Sequence, residues 1–113
     1  MEYTQGVRFD SLGLSPEIMR AIGQRDIQVS TPVQAGCIPP MMDWQDVIAK
    51  APTGTGKTFA YGIPIVEHVD PEDESVQAVI LAPTRELAIQ ITDEIRMLST
   101  FKPGVRCVCL YGG

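Results

Sequence analysis

Apolar positions along the chain follow two rhythms. Over 84–101, Leu87, Ile91, Ile95 and Leu98 recur at three- and four-residue intervals, which puts them on one buried stripe of a helix. Three shorter runs, at 46–50, 77–82 and 105–111, are mainly apolar and rich in β-forming residues, and predict strands. The first two lead into helical stretches at 57–69 and 84–101, and Pro64 is expected to kink the former or end it early. Upstream, Ser15-Pro16-Glu17 supplies an N-cap residue, a proline at the first helical position and an early acid, predicting a helix to about Gln24. Thr31-Pro32-Val33-Gln34 repeats that grammar with capping-box spacing, and Pro39-Pro40 are expected to stop the helix that follows. Strand, helix, strand, helix, strand predicts an α/β fold: a parallel sheet flanked by helices, with right-handed crossovers. The pattern stops on a strand at Gly112-Gly113, so it reads as an unfinished domain.

Composition narrows the class. Charged residues make up 20% and apolar ones 44%, a globular mixture rather than a disordered one. Nine basic against fourteen acidic residues give a net charge of -5. That disfavours a broad basic face for nucleic acid but leaves room for a few local phosphate contacts. No apolar run approaches the ~20 residues of a membrane span, so no membrane partner is expected. The start, Met1-Glu2-Tyr3-Thr4-Gln5, lacks the basic and apolar regions of a secretion signal, and the expectation is a cytoplasmic chain. Cys37, Cys107 and Cys109 are an odd number without metal-ligand spacing. On a strand Cys107 and Cys109 would share one side as small core residues. His68, the only histidine, has no cluster of ligands around it in sequence and reads as a helix-end or surface residue.

The chemistry sits between the first strand and its helix, at Ala51-Pro52-Thr53-Gly54-Thr55-Gly56-Lys57-Thr58. A bound triphosphate needs inward-turned backbone N–H groups, a flexible cation and a hydroxyl for Mg²⁺. Gly54 and Gly56 permit the tight turns of an anion nest, with Thr53 and Thr55 between and beside them. Lys57 has the reach for the β- and γ-phosphates, Thr58 the hydroxyl for the metal, and the helix start adds its dipole. The strict pattern begins with glycine; here Ala51 stands in its place. No N-K-x-D guanine signature occurs, which favours adenine and hence ATP.

Two further blocks identify a family. Phe9 and Ile27-Gln28-Val29-Ser30-Thr31-Pro32-Val33-Gln34 lie upstream; Pro83-Thr84-Arg85-Glu86-Leu87-Ala88-Ile89-Gln90 lies downstream, followed by Gly112-Gly113. In this order, with the phosphate loop between, the chain resembles the N-terminal half of the first RecA-like domain of a DEAD-box RNA helicase. The resemblance covers nearly the whole chain and divides it into a Q-motif region at 1–36 and an incomplete RecA-like part at 37–113. It implies that Gln34 reads adenine, with Phe9 supporting the pocket and Ile27 touching the base. A glutamine amide offers the donor and acceptor that adenine N6 and N7 require. The same side chain is also placed for an ordinary capping box with Thr31, a competing role. Asp26-Ile27 departs from the family, which typically has a glycine and an aromatic there, so weaker base stacking is expected.

The resemblance further implies that Pro83, Thr84, Arg85, Gly112 and Gly113 contact the RNA sugar-phosphate backbone, without reading bases. Lys57 and Thr58 would serve catalysis as well as binding. No apolar strand ending in Asp-Glu occurs in the 113 residues, so the second acidic Mg²⁺ partner and the water-orienting carboxylate are missing. The expectation is an ATP-binding, RNA-contacting part of an ATP hydrolase that does not turn over ATP or unwind RNA alone, and whose unpaired strand edges favour self-association. The alternatives are a free-standing P-loop module that binds nucleotide without catalysis, or another P-loop enzyme such as a small kinase; the Pro83–Gln90 block argues against the kinase.

Overall fold

Four helices hold most of the buried side chains of the computed structural model, which describes residues 6–52 and 56–112. They are α1 (Pro16–Gly23), α2 (Pro32–Met42), α3 (Lys57–His68) and α4 (Arg85–Leu98), preceded by a short 3-10 turn at Phe9–Ser11. Their starts follow the capping residues. Ser15 Oγ accepts from Ile18 N, Thr31 forms a reciprocal capping box with Gln34, and Thr84 Oγ accepts from Leu87 N.

The ends depart from expectation in two places. Pro39-Pro40 do not stop α2, which continues to Met42. Both prolines lie in the final turn, where their fixed φ suits the helix and their carbonyls still accept. Asp43 N donates to Pro39 O at 3.2 Å and to Pro40 O at 3.1 Å, and Gln45 N donates to Pro40 O at 3.0 Å. The reversal comes at Trp44, whose φ of 61 is left-handed. Pro64 likewise does not end α3, which runs on to His68 with the proline ring fully buried.

Helix α3 lies centrally, packing on α2 and on α4, while α1 closes against α4. Ile18 and Ile22 of α1, Ile38 of α2, Phe59, Ile63 and Val66 of α3, and Ile91, Ile95 and Leu98 of α4 form one cluster with Phe9. Each fully buried aliphatic side chain there contributes on the order of 1.5–3 kcal/mol. Gly62 sets the closeness of α3 to α4: a Cβ there would stand 3.0 Å from Ile95 Cδ1 and 3.1 Å from Leu98 Cδ1. A smaller cluster of Val33, Cys37 and Ala60 joins α2 to α3. Helix α2 thus runs unbroken through positions 36 and 37 and binds the upstream block to the phosphate-loop helix.

Polar clips complete the frame. Ser30 Oγ donates to Val7 O at 2.7 Å and accepts from Val7 N at 3.0 Å, holding the upstream segment beside the start of α2. Glu67 receives both Ser15 N (2.7 Å) and Ser15 Oγ (2.6 Å), which pins the α1 cap to α3. Lys102 Nζ donates to Val66 O at 2.6 Å and Glu67 O at 3.1 Å, satisfying carbonyls at the C-terminal end of α3.

The described residues do not form the expected three-strand parallel sheet. Among the described residues the sole β-type pairing is an isolated antiparallel bridge between Arg8 and Val29. The three runs nevertheless keep a strand-like division of faces. Val47 packs on the smaller cluster, and Ile80, Ala82 and Cys107 on the larger, whereas Ile48, Leu81 and Leu110 are 95%, 90% and 86% exposed. Alternation specifies which face of a run meets the helices. It does not specify which run lies at its edge, and edge hydrogen bonds are what a sheet requires. Water can satisfy the exposed backbone meanwhile. The sequence pattern therefore indicates the buried face, while the described residues carry no strand pairing between the runs.

Candidate nucleotide and nucleic-acid site

The nucleotide side is built on the start of α3. Gly56 is its N-cap, with a left-handed φ of 82. Lys57 follows at the first helical position, exposed, and Thr58 at the second, half-buried. The first N–H groups of an α-helix have no partner within it, and its dipole favours an anion there. Thr53, Gly54 and Thr55 fall outside the described residues, so the flanks Pro52 and Gly56 define the loop.

Gln34 joins this helix start to α2. Its Oε1 accepts from Thr31 N at 2.8 Å, and its Nε2 donates to Gly56 O at 3.1 Å. The residue is 5% exposed. Capping and adenine reading stood as competitors for this side chain, and the capping bond is present. A primary amide has two N–H groups and two acceptor lone pairs, so these two bonds use half its capacity. The link to Gly56 is a contact that sequence spacing alone could not place. Gly56 in turn has no room for a side chain, because a Cβ there would collide with the Gln34 amide.

The other residues of the upstream block are supports. Phe9 is fully buried in the larger cluster, and its N–H donates to Gln28 O at 3.0 Å. Asp26 has a left-handed φ of 56, a conformation glycine adopts freely and aspartate tolerates. That accounts for a glycine being typical of the position. Ile27 is half-buried and packs on the main cluster.

The second part of the site lies at the start of α4. Thr84 caps the helix through its side chain, at 3.1 Å from Leu87 N, so that hydroxyl already has a structural task. Arg85 reaches across to the third run: its guanidinium donates to Gly112 O at 3.2 Å and lies over the Tyr111 ring at 4.6 Å. Eleven residues along, Arg96 donates to Cys107 O at 2.9 Å. An eleven-residue interval is close to three turns, so both arginines leave α4 on one side and strap the run to it. Pro83, Thr84, Arg85 and Gly112 are thereby drawn into one exposed patch; Gly113 is outside the described residues. Tyr111 is a member of that patch that the motif reading did not single out, although its place just before the double glycine was the available signal.

His68 is indeed a helix end: the last residue of α3, with Nε2 at 3.0 Å from Met41 O and its ring stacked on Trp44 at 3.7 Å. The cysteines are outside disulfides, and Cys107 and Cys109 are both half-buried while Val108 between them is exposed. No described helix is long and apolar enough to cross a membrane.

Residues 31–113 match the family model of the DEAD/DEAH box helicases. The chain belongs to that family. It is 50% identical over 105 residues to the DEAD-box ATP-dependent RNA helicase CshA of Geobacillus kaustophilus, covering 93% of this chain and 22% of that protein. The ATP-dependent RNA helicase DeaD of Haemophilus influenzae is 38% identical over 110 residues, covering 97% and 18%. Among solved structures, a DEAD box protein from Methanococcus jannaschii superposes with a TM-score of 0.78 at 38% identity, over 84% of this chain and 26% of that one. Saccharomyces cerevisiae Dbp5 bound to RNA and ADP BeF3 gives 0.80 at 36% identity, over 84% and 25%. The fold is therefore part of a RecA-like α/β helicase domain, and the chain spans about a fifth of the length of the curated relatives it matches.

Proposed function

We propose that this chain is the ATP-binding and RNA-backbone-contacting part of a DEAD-box ATP-dependent RNA helicase. The observation that carries the reading is the Gln34–Gly56 bond, which ties the upstream block to the carbonyl immediately before Lys57. In this arrangement the α3 start and Lys57 hold the phosphates, and Gln34 offers its remaining donor and acceptor to adenine from beside the loop. Thr58 would supply a protein oxygen for Mg²⁺. Such a site fits that metal, which commonly takes one or two protein ligands and completes its shell with phosphate and water. Bound there, the metal would neutralise charge on the phosphates; no described group of three acidic, cysteine or histidine residues offers a rival site.

The start of α4 supports RNA contact by a different route. A Cβ added at Gly112 would meet nothing within 4 Å. Its glycine is thus not demanded by packing, which is consistent with close approach of an external backbone. Contacts of Pro83, Thr84, Arg85 and Gly112 would reach phosphate and sugar, not bases. The relatives named as ATP-dependent RNA helicases, and the Dbp5 complex with RNA and ADP BeF3, support both halves. The chain by itself lacks the acid that would orient water, so it binds nucleotide without turnover.

Calorimetry tests the reading. Binding of ATP in preference to GTP is expected, weakened by Lys57→Ala and made indiscriminate by Gln34→Ala. Equal binding of both nucleotides by the unmutated chain overturns the role of Gln34. RNA-stimulated phosphate release that Lys57→Ala abolishes would overturn the inactivity of the chain alone. The cytoplasm is the compartment we assign, supported by cysteines outside disulfides; recovery in a membrane fraction would contradict it.

A further inference from the structure

Arg85 is long, flexible and on the surface, and such a side chain loses rotamer freedom when it grips a ligand. In this chain part of that freedom is already gone. Its guanidinium lies 4.6 Å from the Tyr111 ring centroid and donates to Gly112 O at 3.2 Å. The stack is within the ~6 Å range over which an aromatic face attracts a cation. Tyr111 itself is held, because Arg96 fixes the carbonyl of Cys107 four residues earlier and the run leans on α4 through Cys107.

We infer that Tyr111 is a positioning residue for Arg85, holding its guanidinium at the α4 start in the orientation that meets an RNA phosphate. The role rests on the RNA-contacting reading above. The ring acts through its face, not its hydroxyl, so the chemistry is specific: phenylalanine serves and alanine does not. A planar guanidinium that is oriented in advance loses less entropy when it makes its charge-assisted bonds to phosphate. The competing use of an exposed tyrosine is to stack directly on an RNA base. The two uses differ in whether the effect of the ring passes through Arg85.

A double-mutant cycle on the intact chain separates them, with a fluorescein-labelled oligouridylate as the probe. Arg85→Ala should weaken binding about tenfold, the loss of one charge-assisted contact. Tyr111→Ala should weaken it about two- to fivefold, the worth of an exposed cation–π contact. Tyr111→Phe should bind as the unmutated chain does, and the double alanine variant should bind no worse than Arg85→Ala. A loss on Tyr111→Ala that persists undiminished when Arg85 is already alanine means the ring contacts RNA itself and overturns the inference. So does an Arg85 dependence with no Tyr111 dependence. If Arg85→Ala changes nothing, the RNA reading of the α4 start fails, and the positioning role falls with it. A readout without RNA keeps the positional part separate: the Arg85 side-chain protons should show an upfield ring-current shift in NMR spectra. That shift should be lost in Tyr111→Ala and kept in Tyr111→Phe; its absence in the unmutated chain overturns the stack.

Discussion

The two halves of the site are organised by opposite physics. At the nucleotide side, the Gln34 amide is buried between two packed helices and bonded to a glycine carbonyl in a left-handed turn. At the nucleic-acid side, Arg85 is exposed, with the Gly112 carbonyl and the half-exposed Tyr111 ring among its partners. A buried bond resists salt, and leaving one of its partners unpaired costs about 1–3 kcal/mol. A surface cation contact is worth less than about 1 kcal/mol and is easily released. The difference suits the ligands we propose: a nucleotide pocket would benefit from a fixed shape, whereas a backbone track would have to let RNA move.

The comparison is broken most severely at Gly56. Replacing it with alanine demands a left-handed φ from an L-residue, at about 1–2 kcal/mol. The new Cβ also displaces the Gln34 amide, with about 1 kcal/mol more from the damaged capping box. Gly56→Ala should therefore lower stability by about 2–3 kcal/mol, seen as a reduced urea midpoint, and weaken ATP binding together with it. Loss of binding at unchanged stability would show that Gln34 and Gly56 are not coupled as drawn.

Lys57→Ala gives the complementary result. Lys57 is exposed and its helix starts without help from its side chain. Triphosphate affinity should fall at least about tenfold, the loss of a charge-assisted contact, with the urea midpoint unmoved. Gln34→Ala should fall between the two: stability down by about 1–2 kcal/mol through the box and the orphaned Gly56 carbonyl, with phosphate affinity largely kept. A Gln34→Ala chain of unaltered stability would mean that the capping box does not contribute.

How much of this was legible beforehand differs between the same two regions. The α4 stripe of Leu87, Ile91, Ile95 and Leu98 was readable from its helical spacing; the last three are buried, while Leu87, in the first turn, is half-buried against the same cluster. Thr31 and Gln34 were readable as a capping box because its two bonds are local. The third bond of that group, to Gly56, spans 22 residues and has no local signature. The Arg85–Gly112 strap spans 27. The runs were legible as faces and not as a sheet, because neighbouring edges are a property of topology. Prolines 39 and 40 were misread because a proline forgoes only its own bond to the carbonyl four residues back; with the helix ending one turn on, that loss is tolerated, and the carbonyls of both prolines accept from Asp43 N and Gln45 N.

The outward side of the three runs, with Ile48, Leu81 and Leu110 exposed, leads to a further expectation. Large apolar patches and unpaired edges invite association. We propose that the isolated 113-residue chain pairs with a second copy through this face. Sedimentation should show species above monomer at tens of micromolar, roughly where incomplete folds associate. Leu81→Lys and Leu110→Lys should restore the monomer without affecting the nucleotide side. A monomeric unmutated chain with cooperative unfolding would refute the proposal.

The smallest effect belongs to the strap itself, and it sharpens the contrast between buried and surface control. Arg96 donates one exposed hydrogen bond to Cys107 O and lies on the same side of α4 as Arg85. A hydrogen bond of this kind contributes about 0.5–1.5 kcal/mol, the low end applying at the surface. Arg96→Ala should therefore loosen the third run only slightly, raising its open population about two- to fivefold. The cysteines report this directly. Cys107 and Cys109 are half-buried on the run, while Cys37 is buried between α2 and α3 and serves as an internal control. Thiol-labelling followed by peptide mass analysis should show Cys107 and Cys109 reacting about two- to fivefold faster in Arg96→Ala, with Cys37 unchanged. Acceleration at Cys37 as well would mean that the strap supports the whole fold, and that the two regions are less independent than their contacts indicate. No change at any cysteine would mean that packing on α4, not the arginine, holds the run in place.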